Sequence, residues 1–232
     1  MNENFNYVQS PSAGALANKV MRRVYVKMLV AMLVTAVTSI YVSGSETILR
    51  FIYGNTFVTW GLIISQIAVV LVLSGRLNKL SVTAATLLFY LYSVLTGVVF
   101  SSILLLYTAS SVGMTFLITA GVFAAMSIYG FTTSNDLTKF GSIMFMALIG
   151  LIICSVVNIF LKSSGMEWII SLAGVAIFIG LTAWDTQKIK QMVQYSDSSQ
   201  VGKIATIGAL TLYLDFINLF LYMLRFFGNS RN

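Results

Sequence analysis

The chain has no histidine, one cysteine, one proline and very little charge: only 9% of its 232 residues are Asp, Glu, Lys or Arg. Each shortage excludes something. Without histidine there is no Ser-His triad, no His-bearing zinc site and no imidazole pH switch. The single cysteine, Cys154, lies inside an apolar run and reads as a packing residue, since it has no partner for an intrachain disulfide or a thiolate cluster. The single proline, Pro11, leaves every hydrophobic segment free of a proline kink. A soluble domain is about 25% charged. A chain this short of charge cannot cover its own surface with solvated groups, which excludes an ordinary cytosolic enzyme, a disordered protein and a nucleic-acid-binding domain.

What the chain has instead is hydrophobicity: 58% of its residues are hydrophobic and the mean hydropathy is +0.89. A spanning helix needs about 20 mostly apolar residues. Seven such segments are predicted, at 24–44, 56–74, 80–106, 112–134, 140–161, 167–186 and 204–227. Residues 1–20 read as a polar cytoplasmic N-terminal tail, with no opening apolar run of the kind a cleavable signal has. Residues 21–232 read as a single seven-helix transmembrane domain. No stretch is left over for a soluble domain or a Walker loop, and no nucleotide, haem or flavin motif is present. The expectation is therefore a protein that is not an enzyme and carries no cofactor. Segments one to three show no residue-level repeat in segments four to six.

The net charge of +7, from 14 Lys and Arg against 7 Asp and Glu, is scattered singly between apolar runs. It forms no basic stripe for nucleic acid. It fits the excess of Lys and Arg on the cytoplasmic side of a membrane. With the N-terminus inside, Lys19, Arg22, Arg23, Lys27, Arg76, Lys79, Lys139, Lys188, Lys190 and Lys203 fall inside, while Arg50, Lys162, Arg225 and Arg231 fall outside. Seven spans then place the C-terminus outside, unless the last segment is a half-helix or hairpin.

Most acidic residues read as solvated charges in the tail or in and beside loops: Glu3, Glu46, Asp136, Glu167 and Asp197. Asp215 is different. It stands about eleven residues from either end of the last segment, roughly 16 Å deep at 1.5 Å per residue. A lone carboxylate there costs at least about 2.5–3.5 kcal/mol on insertion scales, so it must face protein or water and is functional by default. Its bland alternative is a neutral acid joining helices by hydrogen bonds. Gly208, Thr211, Asp215, Asn218, Tyr222 and Arg225 share one helical arc of about 100°, a polar stripe on an otherwise apolar helix. Such a helix belongs at the centre of a bundle, with Thr211, Asn218 and Tyr222 as candidates for lining a polar path.

Asp185 closes segment six, where the helical pattern is able to continue through Gln187, Lys188 and Lys190. Its bland alternative is an interfacial acid paired with Lys188 at i+3. If Asp185 and Asp215 meet, they cannot both ionise cheaply and would share a proton, a pH sensor without histidine. Deprotonated, the pair offers oxygens to a hard cation such as Ca²⁺. Ca²⁺ takes about 6–8 oxygens, so two acids imply weak, transient binding. Thr83, Thr86, Tyr90, Ser93, Gly97 and Ser101 of segment three also share a face, read first as small-residue packing and second as a pore wall. Arg76 and Lys79 read as topology markers, or as a basic group able to reach a carboxylate.

Two stretches, GLTAWDTQKIK at 180–190 and ALTLYLDFINLFLYMLRFF at 209–227, closely resemble the C-terminal signature of the Bax inhibitor-1 (transmembrane BAX inhibitor motif) family, in its bacterial inner-membrane branch. Segments one to five match by hydropathy profile. The resemblance implies an all-α fold of seven transmembrane helices with the last helix central and wrapped by the other six. It implies a pH-sensitive calcium leak channel in which Asp185 and Asp215 are the di-aspartyl sensor and weak calcium site. It implies a basic latch from the second helix, for which Arg76 and Lys79 are the candidates. For bacterial members it suggests association with a membrane AAA protease. The expected partners are membrane lipid, calcium ions and protons, with no nucleic acid and a monomeric chain. The expected location is the bacterial inner membrane, N-terminus cytoplasmic.

Three other readings stand beside the leak. An intramembrane aspartyl protease also places one Asp on each of two helices, but it needs a GxGD signature and a Pro-Ala-Leu motif. Here Tyr213 and Leu214 precede Asp215, and the only proline is in the tail. A proton-coupled transporter could use the same dyad as a carrier. A non-transporting regulator would act by binding a membrane protease and would not need the aspartates.

Overall fold

The computed structural model describes residues 13–76, 79–196 and 200–231. Residues 1–12 of the expected tail, and Asp197, lie outside this range. The described chain forms eight helices: α1 (Ala13–Ser43), α2 (Glu46–Tyr53), α3 (Thr56–Arg76), α4 (Val82–Leu106), α5 (Ala109–Thr132), α6 (Thr138–Leu161), α7 (Ser164–Gln194) and α8 (Val201–Phe227). All but α2 are long and apolar enough to cross a membrane. Helices suit that setting because every backbone polar group is satisfied within the segment. Their ends are marked by the sequence. Ser81, Thr108 and Ser163 accept from the amides of Ala84, Ser111 and Met166, capping α4, α5 and α7.

α8 is a full span and the most buried one. It packs against α7, α1, α5 and α4, while α6 rests on α7 and α3 rests on α4. The core runs along α8 through Leu212, Tyr213, Phe216 and Leu219. The outer helices turn Leu33, Ile64, Leu117 and Ile159 outward, as a lipid-facing surface should. On the other side of α8 from its acid, a buried network fixes the helix: Tyr213 meets Thr35 of α1 at 2.6 Å, and Thr35 Oγ1 is 3.0 Å from the Ser93 carbonyl of α4. Lys27 of α1 donates to Thr86 of α4 and Thr206 of α8 at 2.5 and 2.9 Å.

The boundaries depart from the sequence reading in three places. Residues 13–20 are not tail: α1 starts at Ala13, because Ala17 and Val20 bury their side chains in the core. α2 was not expected. It is a short amphipathic helix capped by Ser45, carrying a Glu46–Arg50 ion pair at 2.6 Å and burying Ile52. Tyr53 at its end donates to the Val98 carbonyl at 3.0 Å, which ties α2 to α4. α7 continues past 186 to Gln194, as the pattern through Lys188 and Lys190 allows. Gln187 holds the α5–α6 turn there, accepting from the Leu137 amide and donating to the Asn135 carbonyl.

Candidate functional site

The two buried acids of the bundle come together. Asp185 of α7 is 8% exposed and Asp215 of α8 is 5% exposed. Their carboxyl groups lie against each other, close enough for one to donate to the other when a proton is present. Without that proton neither can donate, and Oδ2 of Asp215 is buried with no partner. They face a cavity of about 590 Å³ at the seam where α6 stands off from α8. Thr211, Asn218 and Tyr222 line it, so the middle of the stripe inferred from helical spacing shares one space with both acids, while Gly208 and Arg225 at its ends lie outside.

Close backbone approach sets this geometry. Gly130 of α5 packs on the backbone of Ala183, two residues before Asp185, and a Cβ there would overlap the Ala183 carbonyl. α7 is thereby held against α5, and Asp185 is presented to α8. Thr186, the next residue, meets Ser127 of α5 at 2.9 Å, and Ser127 meets Tyr25 of α1 at 2.5 Å.

The basic residue in the cavity is Lys188, one turn beyond Asp185 and with its ammonium 4.7 Å from the centre of the Trp184 ring. Arg76 and Lys79, the expected latch, are exposed and do not line it. Arg76 ends α3, which packs on α4 rather than on α7 or α8. Lys188 was weighed at i+3 from Asp185, and only the turn of α7 past 186 brings it to the cavity. From Ser93 to Ser101 the polar face of α4 is packed, while Thr83 at its start is exposed. Ser93 and Ser101 are buried, and a Cβ on Gly97 would come within 2.7 Å of Thr38 of α1. Among the described residues no three His, Cys, Asp or Glu side chains cluster as a metal site. Two carboxyls with neutral oxygens nearby fit a cation in passage better than one held tightly.

The profile described as inhibitor of apoptosis-promoting Bax1 matches residues 17–232. The chain belongs to the Bax inhibitor-1 family. It is 50% identical over 214 residues to the inner membrane protein YbhL of Escherichia coli K12, covering 91% of this chain and 92% of that one. It is 47% identical over 219 residues to a protein of Borreliella burgdorferi, covering 94% of each. It is 38% identical over 185 residues to a membrane protein of Streptococcus pyogenes serotype M6, covering 80% of each. Both stretches that carry the family resemblance, 180–190 and 209–227, contribute to the cavity wall: Leu181, Trp184, Asp185 and Lys188 from the first, Thr211, Leu214, Asp215, Asn218 and Tyr222 from the second.

Proposed function

We propose that this Bax inhibitor-1 family protein is a pH-sensitive leak for calcium across the bacterial inner membrane, with its N-terminus cytoplasmic. The observation that carries the reading is the meeting of Asp185 and Asp215 on the wall of a cavity that also holds Lys188, Thr211, Asn218 and Tyr222. Two carboxyls in contact hold a shared proton in preference to two negative charges. In that state the pair has little to offer a divalent cation. Losing the proton leaves two carboxylates at the cavity wall, with Oδ2 of Asp215 buried and unpartnered. A hard cation then replaces the proton as counter-ion, weakly, since two acids supply only part of its shell. The other charged or titratable groups on the cavity wall are Lys188 and Tyr222; α6 contributes Phe145, Leu148 and Ile152, none of which titrates. Lys188 is the basic group placed to compete with an entering cation, a role in which Arg76 and Lys79 were the sequence candidates.

Calcium influx into proteoliposomes at about pH 6 and about pH 8, either side of neutrality, tests this with wild type, Asp185→Asn and Asp215→Asn. Faster influx at the higher pH, with that dependence lost in either variant, supports the dyad as sensor. No influx by wild type at either pH refutes the leak and leaves the regulator reading, which a co-purifying membrane protease would support.

A further inference from the structure

Two chambers lie in tandem along the seam of α6, α7 and α8. The inner one is the aspartate cavity. The outer one, about 460 Å³, is lined by Asn158 of α6, Lys162 just past its end, Glu167 of α7 and Arg225 of α8, among others. The border between them can be located on each helix. On α6 the inner chamber ends at Ile152 and the outer begins at Ser155. On α8 the inner ends at Tyr222 and the outer takes up at Arg225. On α7, which runs the other way, Phe178 bounds the inner and Ile170 the outer, with Gly174 between.

Tyr222 stands at that border and is held by α7 and by its own helix. Its ring stacks on Phe178 of α7, centroids 5.9 Å apart and planes 25° from parallel. It lies over Gly174, where an added Cβ would come within 2.6 Å of the ring carbons, so only glycine leaves the ring its place. The Arg225 guanidinium covers it from the outer side, 5.4 Å from the ring centre. A tyrosine that merely filled the core would have apolar side chains around its ring. This one has a chamber on each side, with the two aspartates on the wall of the inner one and Lys162, Glu167 and Arg225 on the wall of the outer one.

We propose that Tyr222 is the partition between an outer vestibule and the aspartate cavity, and that its ring must leave the Phe178–Gly174 seat for a cation to pass between them. The proposal rests on reading the cavity as a cation path and names the element that closes its outer side. In the seated position the ring closes the border between the two chambers. The Lys162 and Arg225 charges beyond it outnumber the single carboxylate of Glu167, so the vestibule disfavours cations as well.

The test reads access rather than flux, so it does not depend on the leak. The full chain carries Cys154→Ser and a reporter, Leu148→Cys, on the α6 wall of the inner chamber. A membrane-impermeant cationic thiol reagent is added from the side where α8 ends, to protein reconstituted in vesicles. With Tyr222 present the reporter is protected. Tyr222→Ala is expected to label about tenfold faster, the upper end of what one aromatic pair contributes. Tyr222→Phe keeps the ring and is expected to stay within about twofold of wild type. Tyr222→Leu, which keeps apolar bulk but not the stack, covers the case in which the alanine variant does not fold, and should label faster as well. Labelling of the alanine or leucine variant at the wild-type rate overturns the partition, as does labelling of Tyr222→Phe as fast as Tyr222→Ala. Calcium flux measured on the same vesicles separates the two ideas: unchanged protection with a normal pH-dependent leak sinks the partition alone, and altered protection with no leak in any variant sinks the leak alone.

Discussion

The same substitution, Gly→Ala, should stabilise this bundle at one glycine and damage it at another, and the sign can be worked from what the new methyl group meets. At Gly121 and Gly150, both mid-helix and exposed, an added Cβ has nothing within 4 Å. Only the backbone term remains, and alanine gains about 0.5–1 kcal/mol over glycine inside a helix. At Gly130 the added Cβ runs into the backbone carbonyl of Ala183. A flexible side chain could move aside, but a backbone cannot without shifting a helix. Overpacking costs about 1–3 kcal/mol, which outweighs the helix gain. The displaced element is the part of α7 that carries Asp185. Gly130→Ala should therefore lower stability by roughly 1–2 kcal/mol net and also weaken the pH dependence of the leak, whereas Gly121→Ala and Gly150→Ala should raise stability and leave that dependence unchanged. Reversible unfolding in mixed detergent gives the stabilities and proteoliposome influx gives the pH dependence. Equal stability of Gly130→Ala and Gly121→Ala would refute the close approach of α5 and α7 as the device that places Asp185.

Other outcomes follow from single contacts. Lys188→Gln removes the one basic group on the cavity wall, so the closed, protonated regime of the leak should extend to higher pH, while Arg76→Gln and Lys79→Gln leave the profile in place; influx against pH distinguishes the three. Gln187→Leu strands the Leu137 amide, which is buried, and should cost about 1–3 kcal/mol in the same unfolding assay. Asp136 accepts from the Thr138 amide at 2.9 Å and hydroxyl at 2.6 Å, which holds its carboxyl below the usual carboxylate range. A carboxyl lowered in the folded state contributes stability above its unfolded value and loses it as pH falls through the folded one. Asp136→Asn should accordingly melt lower than wild type at neutral pH, and the two melting curves should converge in acid.

Much of the architecture was legible because lipid imposes a blunt rule, that about 20 apolar residues make a span. All seven spans were found that way. The misplaced boundaries lie where that rule is silent. α2 is too short to span, and its signals are Ser45 as a cap and the Glu46–Arg50 spacing. Residues 13–20 looked like tail because they are small and polar, yet Ala17 and Val20 occupy the buried face of α1. Asp215 and its stripe were legible because a carboxylate at that depth is costly unless it faces protein or water and because helical spacing is regular. That Asp185 meets Asp215 was not legible from spacing alone. The meeting depends on Gly130 seating α5 against Ala183 and on the rotation of α8, both set by partners far away in sequence. Lys188 and Arg76 show the same limit. Each was a basic residue near a helix end, and only the packing of α3 on α4 and the extra turns of α7 separate the one at the cavity from the one away from it.

α8 divides its faces between holding and working, and the division accounts for where its polar residues fall. The Tyr213 side must not move: its hydroxyl, buried between α1 and α4, would lose its partner Thr35 if α8 rotated. Polar contacts across membrane helices average only about 0.6 kcal/mol each, so one such bond would not fix a helix. Lys27 on Thr206 adds a second anchor about two turns away, and Phe89 against Tyr213 adds a ring contact at 5.6 Å. The Asp215 side has the opposite character, with a cavity in place of close packing and carboxyls whose partners depend on a proton. A sensor that changes charge needs a rigid mount on one side and room on the other. If the dyad is the proposed sensor, motion driven there would be directed away from α1 and α4 and into the seam with α6, where Tyr222 stands.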